Sequence, residues 1–158
     1  MQLLVIDINQ HDPAYNLAVE KKLLNISDEY YVIRFWLNEP SVFLGKFQKH
    51  EYEINQEFLR KNKISFFYRF TGGGTVYHDL GNLNITFSRP KMKSGKGGLS
   101  KKDSRLVTEA IVESFRKPGF DFDISERNAV YFNNRKLLGS AVALTKNKFF
   151  YIILSGEA

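Results

Sequence analysis

Three consecutive glycines stand at Arg69-Phe70-Thr71-Gly72-Gly73-Gly74, and Val76, Tyr77, His78, Asp79, Gly81 and Asn82 follow closely. Glycines in series cost chain entropy, so they belong where the backbone takes positive φ or where another group approaches the main chain. A bound ligand is one such group; a tight loop without a ligand is the other reading. Arg69 can fork onto a carboxylate or a phosphate, and N–H groups bared by glycine can face an anion. The spacing is not that of a P-loop, which needs GxxxxGK followed by Ser or Thr, and no dinucleotide fingerprint is present. His78, taken alone, reads equally as a hydrogen-bonded core histidine. His11 and His50 lie too far off in sequence to suggest a zinc site with it.

A second group that could do chemistry is Arg135-Lys136-Leu137-Leu138-Gly139-Ser140-Ala141, in which a lysine just after a turn precedes small residues on a strand. Gly and Ser pack weakly inside a strand and leave room for a flat ligand such as an adenylate. The alternative is a solvated hairpin with a surface lysine. The basic run from Lys91 to Lys102 reads as a mobile surface loop that could also steer an acidic partner. The chain has no cysteine, which excludes disulfides, thiolate nucleophiles and cysteine-ligated metals. A net charge of +6 favours anionic partners. The basic residues gather on no one recognisable helix or stacking platform, so nucleic acid is the least favoured of these.

The elements that must position these groups can be read from the pattern. A strand over Leu3 to Ile8 leads to Asp12-Pro13, a helix start with a capping oxygen and proline at the first helical position. The helix then runs to about Leu24, with Ala14, Leu17, Ala18 and Leu24 near helical spacing and Glu20, Lys21 and Lys22 expected to face water. Tyr30 to Leu37 and Ser41 to Leu44 read as strands separated by a turn at Asn38-Glu39-Pro40, and Ile54 to Asn62 as a short helix. Strands over Ile64 to Phe70 and Leu83 to Ser88 flank the glycine segment. Ser100 to Asp103 resembles a capping box for a helix that ends at Pro118-Gly119. Ala129 to Phe132, Lys136 to Leu144 and Phe149 to Leu154 form a meander with turns at Asn133-Asn134 and Lys146-Asn147. At 158 residues with 43% hydrophobic content, a single domain spanning 1–158 is expected. No apolar run reaches the ~18 residues that cross a bilayer and the start lacks a basic leader, so a cytoplasmic protein with no membrane partner is expected.

Several blocks, in order, resemble the lipoate-protein ligase family. Asp12-Pro13-Ala14-Tyr15-Asn16-Leu17-Ala18-Val19-Glu20 looks like its first-helix signature, and Gly45-Lys46-Phe47-Gln48 is similar to its GRxQ block. The stretch from Arg69 to Asn82 resembles its arginine, triple-glycine, HDxGN block. Arg127-Asn128 and Lys136 to Ala141 are similar to its RND and KxxGSA elements. The resemblance covers nearly the whole chain, and it implies an α+β fold of mixed and antiparallel sheets flanked by helices, like the catalytic domains of class II aminoacyl-tRNA synthetases and biotin ligases. It also implies that this catalytic core is incomplete at its C-terminus.

The activity so implied joins lipoate to protein in two steps, with ATP and Mg2+ as cofactors: lipoyl-AMP forms, then an acceptor lysine takes the lipoyl group. The acceptors implied are lipoyl domains, namely 2-oxoacid dehydrogenase E2 subunits and the glycine cleavage H protein, and a second chain could complete the ligase. Lys136 falls on the family's essential lysine. Arg69, Gly73, Gly74, Val76, Tyr77, His78 and Asn82 fall on its acyl-binding residues, and Asn128, Lys136, Gly139, Ser140 and Ala141 on its adenylate-binding ones. No dedicated metal ligand is implied. A lipoate- or adenylate-binding module without its own catalysis is the alternative. Related octanoyltransferases work through a cysteine absent here, and biotin ligases carry an Arg-Gly repeat where this chain has Thr71 to Gly74. Three positions depart from the family: Tyr68 replaces the first of two arginines, Ala129 replaces an aspartate, and Phe150-Tyr151 replaces a histidine.

Overall fold

The computed structural model describes residues 2–26, 29–90, 99–116, 120–145 and 148–155. The chain order is β1 (Gln2–Asp7), α1 (Pro13–Leu23), β2 (Tyr30–Trp36), β3 (Ser41–Leu44), α2 (His50–Glu53), α3 (Gln56–Lys61), β4 (Ser65–Tyr68), β5 (Val76–His78) and β6 (Asn84–Pro90). It continues with α4 (Leu99–Phe115), β7 (Phe122–Ile124), β8 (Val130–Phe132), β9 (Arg135–Leu144) and β10 (Lys148–Ser155). This is the α+β arrangement expected from the sequence. Seven strands form one sheet in the order β1-β2-β6-β10-β9-β8-β7, and three form a second in the order β4-β3-β5. Only β1 with β2 and β3 with β4 run parallel; the other pairs are antiparallel.

The period of two along β10 organises the core. Phe149, Tyr151 and Ile153 point to one face, where they join Ile85, Val130, Leu138 and Val112 of α4. Phe150 and Ile152 point to the other and join Val32, Trp36 and Leu23 of α1. Helices on both faces thus make β10 buried from Lys148 to Ile153, which is why it reads as a continuous apolar run. The smaller sheet has its own core of Val42, Leu44 and Leu59, the last from α3.

Helix α1 begins as the sequence suggests, with Asp12 Oδ1 accepting from Tyr15 N at 2.6 Å and Pro13 at its start. Its inward face differs from expectation. Pro13, Asn16, Glu20 and Leu23 are buried, so Glu20 does not face water. Arg34 of β2 donates to Glu20 Oε1 at 2.7 Å, Thr86 donates to Glu20 Oε2 at 2.7 Å, and Trp36 Nε1 donates to Thr86 Oγ1 at 3.0 Å. Burial raises the Glu20 pKa, while the bonds from Thr86 and Arg34 pull it back toward the ionised form. A charge at this depth is tolerated only when paired and hydrogen-bonded, and both conditions are met here.

Other expectations are adjusted locally. The helix read over Ile54 to Asn62 is α3, shorter at both ends, and a separate short helix, α2, precedes it and ends at Ile54, whose backbone is extended. Helix α4 starts at Leu99, so Ser100 lies within it and not at a cap, and Asp103 takes a 2.6 Å bond from Arg89. Strands β5 and β7 were not apparent in the sequence; each has only three residues. Of the basic run, 91–98 lie outside the described residues and Leu99 to Lys102 are helical; the helix stop at Pro118-Gly119 and the turn at Lys146-Asn147 also lie outside them.

Candidate active site

Strand β4 feeds into Arg69, whose guanidinium is held by the main chain around it. Nη1 donates to Phe43 O at 3.0 Å, and Nη2 donates to Gly72 O at 3.0 Å and Gly74 O at 2.7 Å. The fork that could have gripped a free anion instead shapes the glycine turn, and its charge lies directly beneath it. Burial lowers the Arg69 pKa, yet an arginine remains charged. The three glycines have different reasons to be glycine. Gly73 takes φ +104°, and a Cβ there would sit 2.9 Å from Arg69 Nη2. At Gly72 and Gly74 an added Cβ meets no protein atom within 4 Å. Gly74 is therefore bare beside a cavity although the protein does not require it to be.

The short Gly45 block is tied to this turn. A Cβ on Gly45 would collide with the carbonyl of Gly73, Lys46 N donates to Thr71 O at 2.9 Å, and Gln48 Oε1 accepts from Gly45 N at 2.7 Å and Thr75 Oγ1 at 3.1 Å. Beyond the turn, β5 pairs with β3 so that His78 lies opposite Ser41. Alternation sends His78 inward and leaves Tyr77 half exposed. The imidazole packs on Phe43, with ring centroids 4.6 Å apart, and on Trp36 at 6.0 Å. Its pKa is lowered to about 4, by burial first and then by the nearby Arg69 charge, with Asp79 opposing; it is neutral at pH 7. Asn82 closes the following turn by accepting from Asp79 N at 2.8 Å.

The facing wall comes from the other sheet. Asn133 and Asn134 both take left-handed conformations, φ 49° and 61°, which makes the tight turn that starts β9. A Cβ on Gly139 would be 3.5 Å from both Cε and Nζ of Lys136, so the lysine folds back over the bare strand. Lys136 has no ion-pair partner among the described residues. Arg69, Gly73, Gly74, Val76, Tyr77, His78 and Asn82 on one side and Lys136, Gly139, Ser140 and Ala141 on the other line a single cavity of about 920 Å³, to which Leu154 and Ser155 of β10 also contribute. Two stretches about sixty residues apart in sequence meet across it.

Asn128 does not join them. It takes φ 60° and donates to Ser104 Oγ of α4 at 3.0 Å, outside the cavity lining. Ala129 brings no carboxylate, and no group of three His, Cys, Asp or Glu residues fit for a metal occurs among the described residues. Asp79 is the carboxylate in the cavity lining, and its Oδ1 accepts from Gly81 N at 2.9 Å. Tyr151, which replaces the family's histidine together with Phe150, is fully buried and bonds Thr108 Oγ1 at 2.7 Å. Asn16 and Asn38 had been assigned no role from sequence, yet both are fully buried and Asn38 bonds the His78 ring. Their only signal was the presence of Asn16 in the first-helix block.

Comparison with known proteins matches residues 12–154 to the model of the lipoyl protein ligase A/B catalytic domain. The chain is 34% identical over 149 residues to the lipoate-protein ligase LplJ of Bacillus subtilis, covering 94% of this chain and 44% of that protein. It thus spans less than half the length of such curated relatives. Among solved structures, a lipoate protein ligase of Thermoplasma acidophilum with bound lipoic acid aligns with TM-score 0.83 and 26% identity, over 98% of this chain and 67% of that one. A bi-partite ligase of the same organism, described with its E2 lipoyl domain, aligns with TM-score 0.84 and 30% identity over 98% and 60%. A lipoate-protein ligase A bound with ATP gives TM-score 0.84 and 28% identity over 98% and 65%. No helix among the described residues is long and apolar enough to cross a membrane.

Proposed function

Since the chain belongs to the lipoyl protein ligase A/B catalytic-domain family, we propose that its cavity binds lipoate and ATP, forms lipoyl-AMP, and passes the lipoyl group to a lysine of an acceptor lipoyl domain. The observation that supports this best is the meeting of the glycine turn and Lys136 across one cavity. A carboxylate is a poor acyl donor until it carries a good leaving group. One of its oxygens attacks the α-phosphorus of ATP, pyrophosphate leaves, and a mixed anhydride remains. The acceptor amine then attacks the acyl carbon, AMP leaves with the C–O electron pair, and an amide results.

In the first step two anions must come together, so a cation between them lowers the barrier. Lys136, an amine with no ion-pair partner among the described residues, is the residue for that task. The bared main chain at Gly73 and Gly74, with the Arg69 charge beneath it, adds positive potential on the opposite side. Val76, Tyr77 and His78 wall the acyl chain, and Gly139, Ser140 and Ala141 leave a flat shelf for the adenylate. Mg2+ enters bound to the phosphates of ATP, as part of the substrate. None of these 158 residues is a cysteine, so none of them can carry the acyl group as a thioester.

Incubation with lipoate and MgATP tests the proposal. Pyrophosphate and lipoyl-AMP should appear, and Lys136→Ala should slow their formation by about a hundredfold or more, as removal of one charge-stabilising group does elsewhere. Equal rates in the two proteins would refute the role of Lys136. A second reading has support from the bi-partite architecture of an archaeal relative. In it, this chain binds lipoate or the adenylate and needs a second polypeptide for turnover. Calorimetry separates the two: heat of binding without pyrophosphate release favours the partner-dependent module.

A further inference from the structure

A row of buried side chains leads from the core to the cavity wall, and the hydrogen-bond polarity of each is dictated by the one before. The row starts at Arg34, 1% exposed, whose guanidinium can only donate. Its Nη2 donates to Asn16 Oδ1 in a short contact, so the Asn16 carboxamide must present oxygen to Arg34 and nitrogen on its other side. Asn16 Nδ2 indeed faces acceptors only, Leu37 O at 2.8 Å, Asn38 Oδ1 at 2.9 Å and Gln10 O at 3.0 Å. Asn38 must then turn its own nitrogen away from Asn16, and that nitrogen lies 2.9 Å from His78 Nδ1. An N–H donor facing Nδ1 requires a lone pair there. The proton of a neutral His78 is left on Nε2.

That Nε2 is buried and has no hydrogen-bond partner among the described residues, on a residue 3% exposed that lines the cavity. Such a donor without an acceptor costs free energy in the empty protein, and a ligand acceptor would recover it. From this we infer that Arg34, acting through Asn16 and Asn38, fixes His78 in the Nε2–H form, so that the cavity wall offers the acyl substrate a neutral N–H donor. Asn38 is a positioning residue in this scheme, and the Glu20–Arg34 pair is its anchor. The acceptor on the substrate is the acyl carboxyl oxygen, an atom lipoate and octanoate share. The inference rests on the assignment of the cavity to an acyl ligand.

Long-range 1H–15N correlation spectra of the ligand-free protein at pH 7 test it, with His78 identified by elimination using His11→Gln and His50→Gln. The expected pattern is a protonated Nε2 and an unprotonated Nδ1. Asn38→Asp keeps the shape but replaces the donor by an acceptor, so in the neutral ring, read above its titration, the proton should move from Nε2 to Nδ1. The Kd for lipoate and for octanoate should both rise, by about tenfold, as expected for one misdirected hydrogen bond. A wild-type His78 protonated on Nδ1 would overturn the inference, and this needs no variant to fold. So would a tautomer reversed by Asn38→Asp with both affinities unchanged, or a loss confined to lipoate, which would put the acceptor at its sulfurs. Failure of the functional proposal looks different: the wild-type chain then binds no acyl ligand, while the spectra and their reversal still hold.

Discussion

Gly73 is glycine because its φ of +104° and its closeness to Arg69 leave no place for a Cβ, whereas Gly74 has open space where a Cβ would stand. The two positions therefore separate folding from binding. Gly73→Ala is expected to cost about 1–2 kcal/mol in urea unfolding, the strain of forcing an L-residue into left-handed backbone. Gly74→Ala should change stability by less than about 0.5 kcal/mol, as surface substitutions do, and yet weaken lipoate binding several-fold because the methyl group enters the cavity. Unchanged affinity in Gly74→Ala would show that nothing binds against that main chain. In the sequence the three glycines were alike, since φ and open space are properties of the folded loop. Arg69 was legible as a cation beside the turn, but its hold on three carbonyls was not, because one of them, Phe43 O, comes from a strand 26 positions away.

At the scale of elements, α1 is attached to the large sheet by a polar face as much as by an apolar one. Asn16 and Glu20 point inward with Leu23, and Arg34 from β2 meets them. Arg34→Met strands the Glu20 carboxyl in the core and should lower unfolding free energy by about 3–5 kcal/mol. The double substitution Glu20→Met and Arg34→Met should recover most of that loss, since the desolvation cost disappears with both charges. A double variant as unstable as the single one would mean that the pair itself, and not its completeness, holds the helix. The start of α1 was readable because Asp12-Pro13 is a local signal. Its buried face was not, because a glutamate in a helix reads as solvent-facing until its partner is known. In the meander, β9 and β10 were readable from long alternating or apolar runs and β8 from its place beside the Asn133-Asn134 turn, whereas β5 and β7 were too short to leave a period and are strands through their neighbours.

For the whole molecule, the arrangement that matters is two sheets of different size that supply opposite walls of one cavity. The small sheet contributes the glycine turn and β5, the large one contributes β9. The sequence marked both walls through ordered blocks, and the resemblance they carry gave the fold class. That the walls converge could be known only from the coordinates, because no local rule relates Gly74 to Lys136. The same coordinates keep Asn128 out of the cavity lining and leave Ala129 with no carboxylate to offer. The most direct measurement is a crystal structure of the chain with a non-reactive lipoyl-adenylate analogue in which a sulfamoyl group replaces the phosphate. The expected result is the acyl chain beside Val76, Tyr77 and His78, the sulfamoyl group within hydrogen-bonding reach of Lys136 Nζ, and the adenosine along Gly139 to Ala141. An analogue bound elsewhere, or held in the cavity with Lys136 turned away from it, would contradict the proposal.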